Sequence, residues 1–130
     1  MFEKLLAKAK IARKNAYSPF SRFQVGASIL TSNNNYYVGS SIENPSFSQT
    51  LCAEASAIAA MVTAGERKIK TILVVGGDDN LCFPCGGCRQ KIKEFSYDET
   101  KIYVVNGLDQ YKIFSIDELL PNAFTFSPKN

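Results

Sequence analysis

The feature that most constrains this 130-residue chain is a predicted helix over residues 52–64 that is apolar on almost every side. Gly65 ends it, and its apolar residues are Ala53, Ala55, Ala57, Ile58, Ala59, Ala60, Met61, Val62 and Ala64. A helix without a polar face has to be covered on more than one side. We therefore expect a sheet against this helix and a second layer, or another subunit, beyond it.

Helix and strand patterns alternate along the rest of the chain. Residues 2–16 have the spacing of an amphipathic helix that Ser18-Pro19 ends, and strands over 24–31 and 36–40 form a hairpin. The later predicted elements are a strand at 70–76, a loop at 77–80, a helix at 86–95, a strand at 101–105, a turn at 107–110 and a short helix at 116–120. This order predicts a single α/β domain, residues 1–130, with helices on both faces of a mixed sheet.

Composition excludes several classes of protein. A hydrophobic content of 45% with 21% charged residues is typical of a globular domain, and a net charge of +3 is too weak to indicate nucleic-acid binding. The longest apolar stretch, around residues 57–62, is too short to cross a membrane, and the first residues lack a secretory signal. We expect a cytoplasmic protein without membrane or nucleic-acid partners, in which cysteines stay reduced.

The chain contains four cysteines and no histidine. Without imidazole it cannot build a Ser-His-Asp triad, a Cys-His nucleophile pair or a histidine-rich metal site. Proton transfer near neutral pH would then depend on a carboxylate with a shifted pKa. Glu54 is the candidate, because it lies two residues after Cys52 at the start of the predicted helix.

Three of the cysteines have the spacing of a metal site. Cys52 begins one predicted helix, whereas Cys85 and Cys88 lie one turn apart at the start of another, after Pro84. Two converging helix N-termini would favour thiolates. Three thiolates leave the fourth position of tetrahedral Zn²⁺ open for water, as in catalytic sites, and Glu54 could take a proton from that water.

The fourth cysteine leaves other interpretations open. With Cys82, the four cysteines could close a structural zinc site in an interaction module, and either C-x-x-C pair could be a redox dithiol. A structural site would need Cys82 but no carboxylate beside its ligands, so Cys82 and Glu54 discriminate between these interpretations.

Taken together, these motifs resemble those of the zinc-dependent deaminases, and most closely those of the small homotetrameric three-cysteine cytidine deaminases. The resemblance extends over nearly the whole chain and includes Phe23-Gln24-Val25-Gly26, Ile42-Glu43-Asn44, Cys88-Arg89-Gln90 and Leu119-Leu120-Pro121-Asn122-Ala123-Phe124. It implies a three-layer α/β/α cytidine-deaminase-like fold with a mixed five-stranded sheet. It also implies one Zn²⁺ per chain, held by Cys52, Cys85 and Cys88, and a homotetramer with active sites at the subunit borders.

The same resemblance implies how the pyrimidine base is bound and protonated. Glu54 would carry a proton from the zinc-activated water to N3 of the base and then to the departing amine. The backbone around Ala53 and Cys85 would meet the edge of the pyrimidine, and Phe23 would pack against its face.

On the sugar side, the resemblance assigns roles, but the chain also departs from the family pattern. Glu43 would accept a hydrogen bond from a ribose hydroxyl, and Phe124 would close the pocket of a neighbouring subunit. Where these enzymes usually carry asparagine and tyrosine, this chain has Ser41 and Phe47. We therefore expect weaker or altered ribose recognition, which discrimination of about a hundredfold against an analogue without the ribose hydroxyl would contradict.

The charge of the metal centre raises a second expectation. Three thiolates on a dication give a negative centre, which is a poor Lewis acid unless a cation compensates it. The three-cysteine enzymes usually place arginine after the catalytic glutamate, but Ala55 stands there in this chain. Arg89 is then the obvious cation, and we expect Arg89→Ala to impair zinc retention or turnover.

The expected reaction is zinc-dependent hydrolytic deamination of cytidine or deoxycytidine to uridine or deoxyuridine and ammonia, a step of pyrimidine salvage. The substrate would be a small nucleoside. The substituted polar positions keep open an alternative in which the enzyme acts on another aminated nucleoside or analogue, such as blasticidin S.

Overall fold

The computed structural model describes residues 1–128, which form one mixed sheet and four α-helices. The strands are β1 (Val25–Thr31), β2 (Tyr36–Ser40), β3 (Ile69–Gly76), β4 (Ser96–Val105) and β5 (Tyr111–Phe114). The helices are α1 (Phe2–Lys14), α2 (Ala53–Thr63), α3 (Gly86–Glu94) and α4 (Ile116–Leu119), with a short 3-10 helix at Phe47–Gln49.

The sheet has five strands in the order β2-β1-β3-β4-β5. Only the pair β3–β4 is parallel, and α3 makes the crossover between its strands. β3 lies at the centre, and seven of its eight residues are buried, as its continuous apolar run predicts for a strand covered on both faces. The predicted mixed five-stranded sheet is confirmed.

Helices cover both faces of the sheet, which confirms the predicted three-layer fold. On one face, α1 packs through Leu5 and Ala9 onto alternate residues of β3 and β4 such as Leu73 and Val105. On the other face, α2, α3 and α4 pack against the intervening residues, which include Ile72 in β3. Period-two alternation along the strands thus supplies two separate cores.

Gly39 in β2 lets α2 lie unusually close to the sheet. A Cβ atom at this position would collide with the backbone of Ala53 and Ala57 in the helix. This close approach fixes the first turn of α2 against β2, and with it the positions of Cys52 and Glu54.

The structure differs from the sequence prediction at the end of the sheet. β4 begins at Ser96 rather than at residue 101, and the hydrophobic pattern did not locate β5 (Tyr111–Phe114), although the family resemblance implied five strands. Residues 96–100 include only one buried residue, and three of the four β5 residues are exposed, so neither segment carries the buried alternation on which the prediction depended. The other helix and strand boundaries agree with the predictions to within two residues.

The helix α2 is only partly covered within one chain. Its buried residues face the sheet, but Ala59 and Ala60 are exposed. The cover beyond this helix therefore stays a prediction about another subunit. Among residues 1–128, none of the helices has the length and apolar character needed to span a bilayer.

Candidate active site

Two helix N-termini meet where the predicted metal ligands lie. Cys52 is the N-cap of α2, and Cys85 is the N-cap of α3, both with extended backbone. α3 follows the carboxyl end of the parallel strand β3, the end at which α/β sheets usually bind ligands. Cys88, in the first turn of α3, is buried below the two N-caps.

The sulfur atoms of Cys52, Cys85 and Cys88 all lie within 4.8 Å of one another. The Cys52 and Cys85 sulfurs are 3.8 Å apart. Zinc–sulfur bonds of about 2.3 Å at tetrahedral angles put two sulfurs about 3.8 Å apart, so the donor set suits Zn²⁺. Cys82 does not belong to this group, which is the one such cluster of Cys, Asp or Glu ligands that residues 1–128 contain.

The pKa values of Cys52 and Cys88 are shifted in opposite directions. Hydrogen bonding from the Cys88 thiol lowers the pKa of Cys52 to about 6, with further help from Cys85 and from the positive charge of Lys91. The same hydrogen bond and burial raise the pKa of Cys88. Lys91 is exposed and lies one helical turn after Cys88, so this cation near the thiolates is one that sequence reasoning missed.

Glu54 lies in the first turn of α2 and is 4% exposed. Burial raises the pKa of its carboxyl group to about 7, although its own backbone N–H, the Cys88 thiol and Lys91 favour the ionised form. A carboxyl group with such a pKa can both accept and donate a proton near neutral pH.

A cavity of about 230 Å³ opens above the cysteines. It is lined by Glu54, Cys52 and Cys85, and also by four of the predicted substrate contacts, Ala53, Phe23, Ser41 and Glu43. Cys82 and Val25 line the same cavity, as do four residues that sequence reasoning did not single out, namely Ser21, Thr50, Leu51 and Phe83. Only Phe124 among the predicted substrate contacts does not line this cavity.

The polar groups proposed to face the sugar already form hydrogen bonds with other groups of the chain. The Glu43 carboxylate accepts hydrogen bonds from the backbone of Phe20 and Ser21 and from the Ser21 hydroxyl. The hydroxyl bond lowers the pKa of Glu43, so the group is a carboxylate at neutral pH. The hydroxyl of Ser41 accepts the backbone N–H of Val25 at 3.1 Å.

Arg89 and Phe124 are not among the residues that line the cavity. Arg89 donates through Nε to the carbonyl of Pro84 and through Nη1 to that of Leu119, each at 2.8 Å. Within residues 1–128 its hydrogen bonds go to these carbonyls and not to sulfur, so charge compensation by Arg89 stays a prediction. The Phe124 ring is 72% exposed, while its carbonyl accepts a hydrogen bond from Gln90 at 3.0 Å.

A family model and two curated proteins match most of this chain. The family model of the cytidine and deoxycytidylate deaminase zinc-binding region matches residues 2–104. The cytidine deaminase of Mycoplasma genitalium is 46% identical over 94% of this chain and 94% of its own length. That of Halalkalibacterium halodurans is 39% identical over 97% of this chain and 96% of its own.

Two solved structures of cytidine deaminases are similar in fold to this chain. The crystal structure of cytidine deaminase from Burkholderia pseudomallei superimposes with a TM-score of 0.89 at 34% identity, over 95% of this chain and 99% of that one. The cytidine deaminase from Mycobacterium tuberculosis gives a TM-score of 0.84 at 32% identity, over 96% and 98% of the two chains.

Proposed function

Because the chain belongs to the cytidine and deoxycytidylate deaminase zinc-binding family, we propose that it hydrolyses cytidine or deoxycytidine to the uracil nucleoside and ammonia. One observation carries this proposal. Three cysteine sulfurs lie within 4.8 Å of one another, and two of these cysteines, Cys52 and Cys85, line one cavity together with the buried Glu54. The family assignment and the sulfur cluster indicate one Zn²⁺ per chain.

Cys52, Cys85 and Cys88 would hold the metal, and the N-termini of α2 and α3 would stabilise their thiolates. When bound, zinc acidifies a water molecule and so supplies a nucleophile at neutral pH. Three protein ligands leave room for that water, whereas a fourth ligand from Cys82 would close the site. The position of Cys82 outside the cluster supports the catalytic interpretation over the structural one.

Glu54 would act as the proton carrier. It would take one proton from the attacking water and deliver it to N3 of the pyrimidine. It would then take the second proton from the hydroxyl group added at C4 and pass it to the amine, which leaves as ammonia as the C4 carbonyl forms. Its burial supports this role, because a carboxyl group with a raised pKa exchanges protons readily near pH 7.

The walls of the cavity would orient the nucleoside. Phe23 would pack against the base, and the backbone at Ala53 and Cys85 would bind its polar edge. Glu43 would accept a hydrogen bond from a ribose hydroxyl in the region of Ser41. All five residues line the same cavity, which supports a single binding mode for base and sugar.

We further propose that the chain is a single domain that assembles into a cytoplasmic homotetramer and serves pyrimidine salvage. Phe124 of one subunit would close the site of its neighbour. The exposed rings of Phe124 and Phe47, together with Ala59 and Ala60 of α2, supply apolar surface that a partner could bury.

Ultraviolet absorbance of purified zinc-loaded protein with cytidine, deoxycytidine and free cytosine tests the reaction. We expect turnover of the nucleosides, loss of turnover by a factor of about 10² or more in Glu54→Gln, and unchanged zinc content in that variant. Glu99→Gln, an exposed glutamate in β4, is the matched control and should keep full activity. No turnover of any of the three by zinc-loaded protein would contradict the proposal and direct attention to modified substrates such as blasticidin S.

A further inference from the structure

The hydroxyl group of Ser21 joins two residues of the cavity wall. It donates a hydrogen bond to Oε2 of Glu43 and accepts one from the backbone N–H of Phe23 at 3.0 Å. A serine hydroxyl has one proton, and a carboxylate has none, so the direction of both hydrogen bonds is fixed. Ser21 therefore has no proton left to donate to a ligand.

Glu43 is bound to the same loop through its other oxygen. Oε1 accepts the backbone N–H groups of Phe20 at 3.0 Å and Ser21 at 3.1 Å. A carboxylate has about four acceptor positions, and the loop uses three of them. About one position remains for a hydroxyl group of a substrate.

The backbone between Ser21 and Phe23 adopts a conformation that needs support. Arg22 has a φ of 61°, in the left-handed region that residues with a side chain rarely adopt, and its N–H donates to the carbonyl of Ser18 at 2.9 Å. Such a conformation persists where surrounding contacts hold it. It turns the chain so that the N–H of Phe23 reaches back to the Ser21 hydroxyl.

We propose that Ser21 is a positioning residue of the substrate site, which holds the Glu43 carboxylate and the Phe23 ring in one fixed arrangement. Glu43 and Phe23 are 20 residues apart in sequence, and Ser21 is hydrogen-bonded to both. The inference rests on the proposed function, in which Glu43 binds the ribose and Phe23 the base. Sugar and base recognition would then be coupled through one hydroxyl group.

Kinetics of the zinc-loaded enzyme test the coupling. We expect Ser21→Ala to raise KM for cytidine about tenfold, as loss of a hydrogen bond to a charged group can, with kcat changed less than about twofold. Ser21→Thr keeps the hydroxyl and should restore KM. Ser32→Ala, an exposed serine in the β1–β2 turn, is the control and should leave KM unchanged.

A double-mutant cycle separates positioning from general loosening of the fold. If Ser21 acts through Glu43, Ser21→Ala should raise KM less than about twofold in a Glu43→Ala background. An equal rise in both backgrounds, or no rise in the wild-type background, would overturn the proposal.

Amide hydrogen exchange in the substrate-free zinc protein provides a readout that does not depend on turnover. The Phe23 amide should exchange faster in Ser21→Ala, whereas the Asn80 amide, which is bonded to the side chain of Asp78, should not change. An unchanged Phe23 amide would refute the role of Ser21 in the loop. If wild-type protein failed to convert cytidine, the proposed function would fail instead. The exchange result would still show whether the Ser21 hydroxyl holds the backbone of Phe23.

Discussion

The floor of the cavity and its rim are held in place by different parts of the fold. On the floor, Cys88 and Glu54 are 1% and 4% exposed and belong to helices that pack on the sheet. On the rim, we group Phe23, which lines the cavity, with Phe124, which does not; they are 37% and 72% exposed and lie outside helices and strands. The chemistry requires ligand positions that only rigid elements can hold, whereas the substrate range can be adjusted through loops.

The largest expected effect comes from removing a ligand of the floor. Cys88→Ala should abolish zinc retention and turnover, because its sulfur is one of three that lie together. Cys82→Ala is the matched control for zinc retention: burial raises the pKa of Cys82 to about 12, which keeps it a neutral thiol, and it lies outside the cluster although it lines the cavity. Metal analysis and the ultraviolet assay on both variants check this.

Equal loss of zinc in the two variants would contradict the three-ligand site. It would indicate instead a closed site with four cysteine ligands, and so revive the structural interpretation.

A smaller effect on zinc binding is expected from removing Arg89, whose hydrogen bonds connect the start of α3 to the end of α4. Loss of its hydrogen bonds to Pro84 and Leu119 should weaken zinc binding about 10- to 100-fold in Arg89→Ala, as removal of supporting groups around a metal site does. Competition with a chromogenic chelator would measure the affinity.

Arg89→Lys decides which property of Arg89 matters. Lysine keeps the charge but not the planar fork that reaches two carbonyls. Zinc affinity near wild type in Arg89→Lys would support charge compensation, and affinity as low as in Arg89→Ala would support tethering. Unchanged affinity in Arg89→Ala would contradict both, and Lys91 would become the cation to test.

On the rim, the proposed subunit border predicts complementation. Phe124→Ala should lower kcat/KM for cytidine about tenfold if the ring closes a neighbouring site, because an aromatic contact is lost from the bound substrate. Mixed tetramers of Phe124→Ala and Glu54→Gln subunits should contain some sites with both wild-type residues and regain activity. Co-refolded mixtures assayed against the separate variants would measure this, and a mixture no more active than Phe124→Ala alone would contradict a ring supplied in trans.

The floor was predictable from the sequence because its residues lie next to short sequence patterns that mark helix starts. Cys52 and Cys85 precede recognisable helix starts, and the i, i+3 spacing of Cys85 and Cys88 fixes their side of the helix. The structure therefore brings together the three sulfurs that the spacing indicated. The apolar pattern of α2 and β3 likewise predicted the layers, since burial dominates those segments.

The rim was predictable only through the family resemblance, and incompletely. Ser21 gives no local signal, because its importance comes from a hydrogen bond to Glu43, 22 residues away along the chain. In the sequence, nothing distinguishes Lys91 from the other solvent-exposed lysines. Its proximity to the thiolates becomes evident only when the fold brings α3 and Cys52 together. The edge strand β5 is exposed at three of its four residues, so no buried face distinguished it from a loop.

The smallest expected effect concerns Ser41, where the rim departs from the family pattern. Ser41 is 8% exposed, and its hydroxyl accepts the Val25 amide, so little polar surface reaches the sugar side of the cavity. Asparagine is longer and adds two N–H donors. We expect Ser41→Asn to raise discrimination between cytidine and 2′,3′-dideoxycytidine by about threefold to tenfold, the worth of one hydrogen bond to substrate.

Phe47→Tyr is the companion variant, because tyrosine is the residue that the family usually carries at this position. The Phe47 ring is 80% exposed, so a hydroxyl group can be added without repacking. Ratios of kcat/KM for the two nucleosides, with the melting temperature as a check on folding, measure both variants. If the wild-type protein already discriminated by about a hundredfold, as a paired buried hydroxyl allows, Ser41 would not be a weakness of the rim. Recognition of the ribose hydroxyl would then depend on Glu43. In that case, loss of the Ser21 hydrogen bond that holds the Glu43 carboxylate would weaken substrate binding more than a change at Ser41.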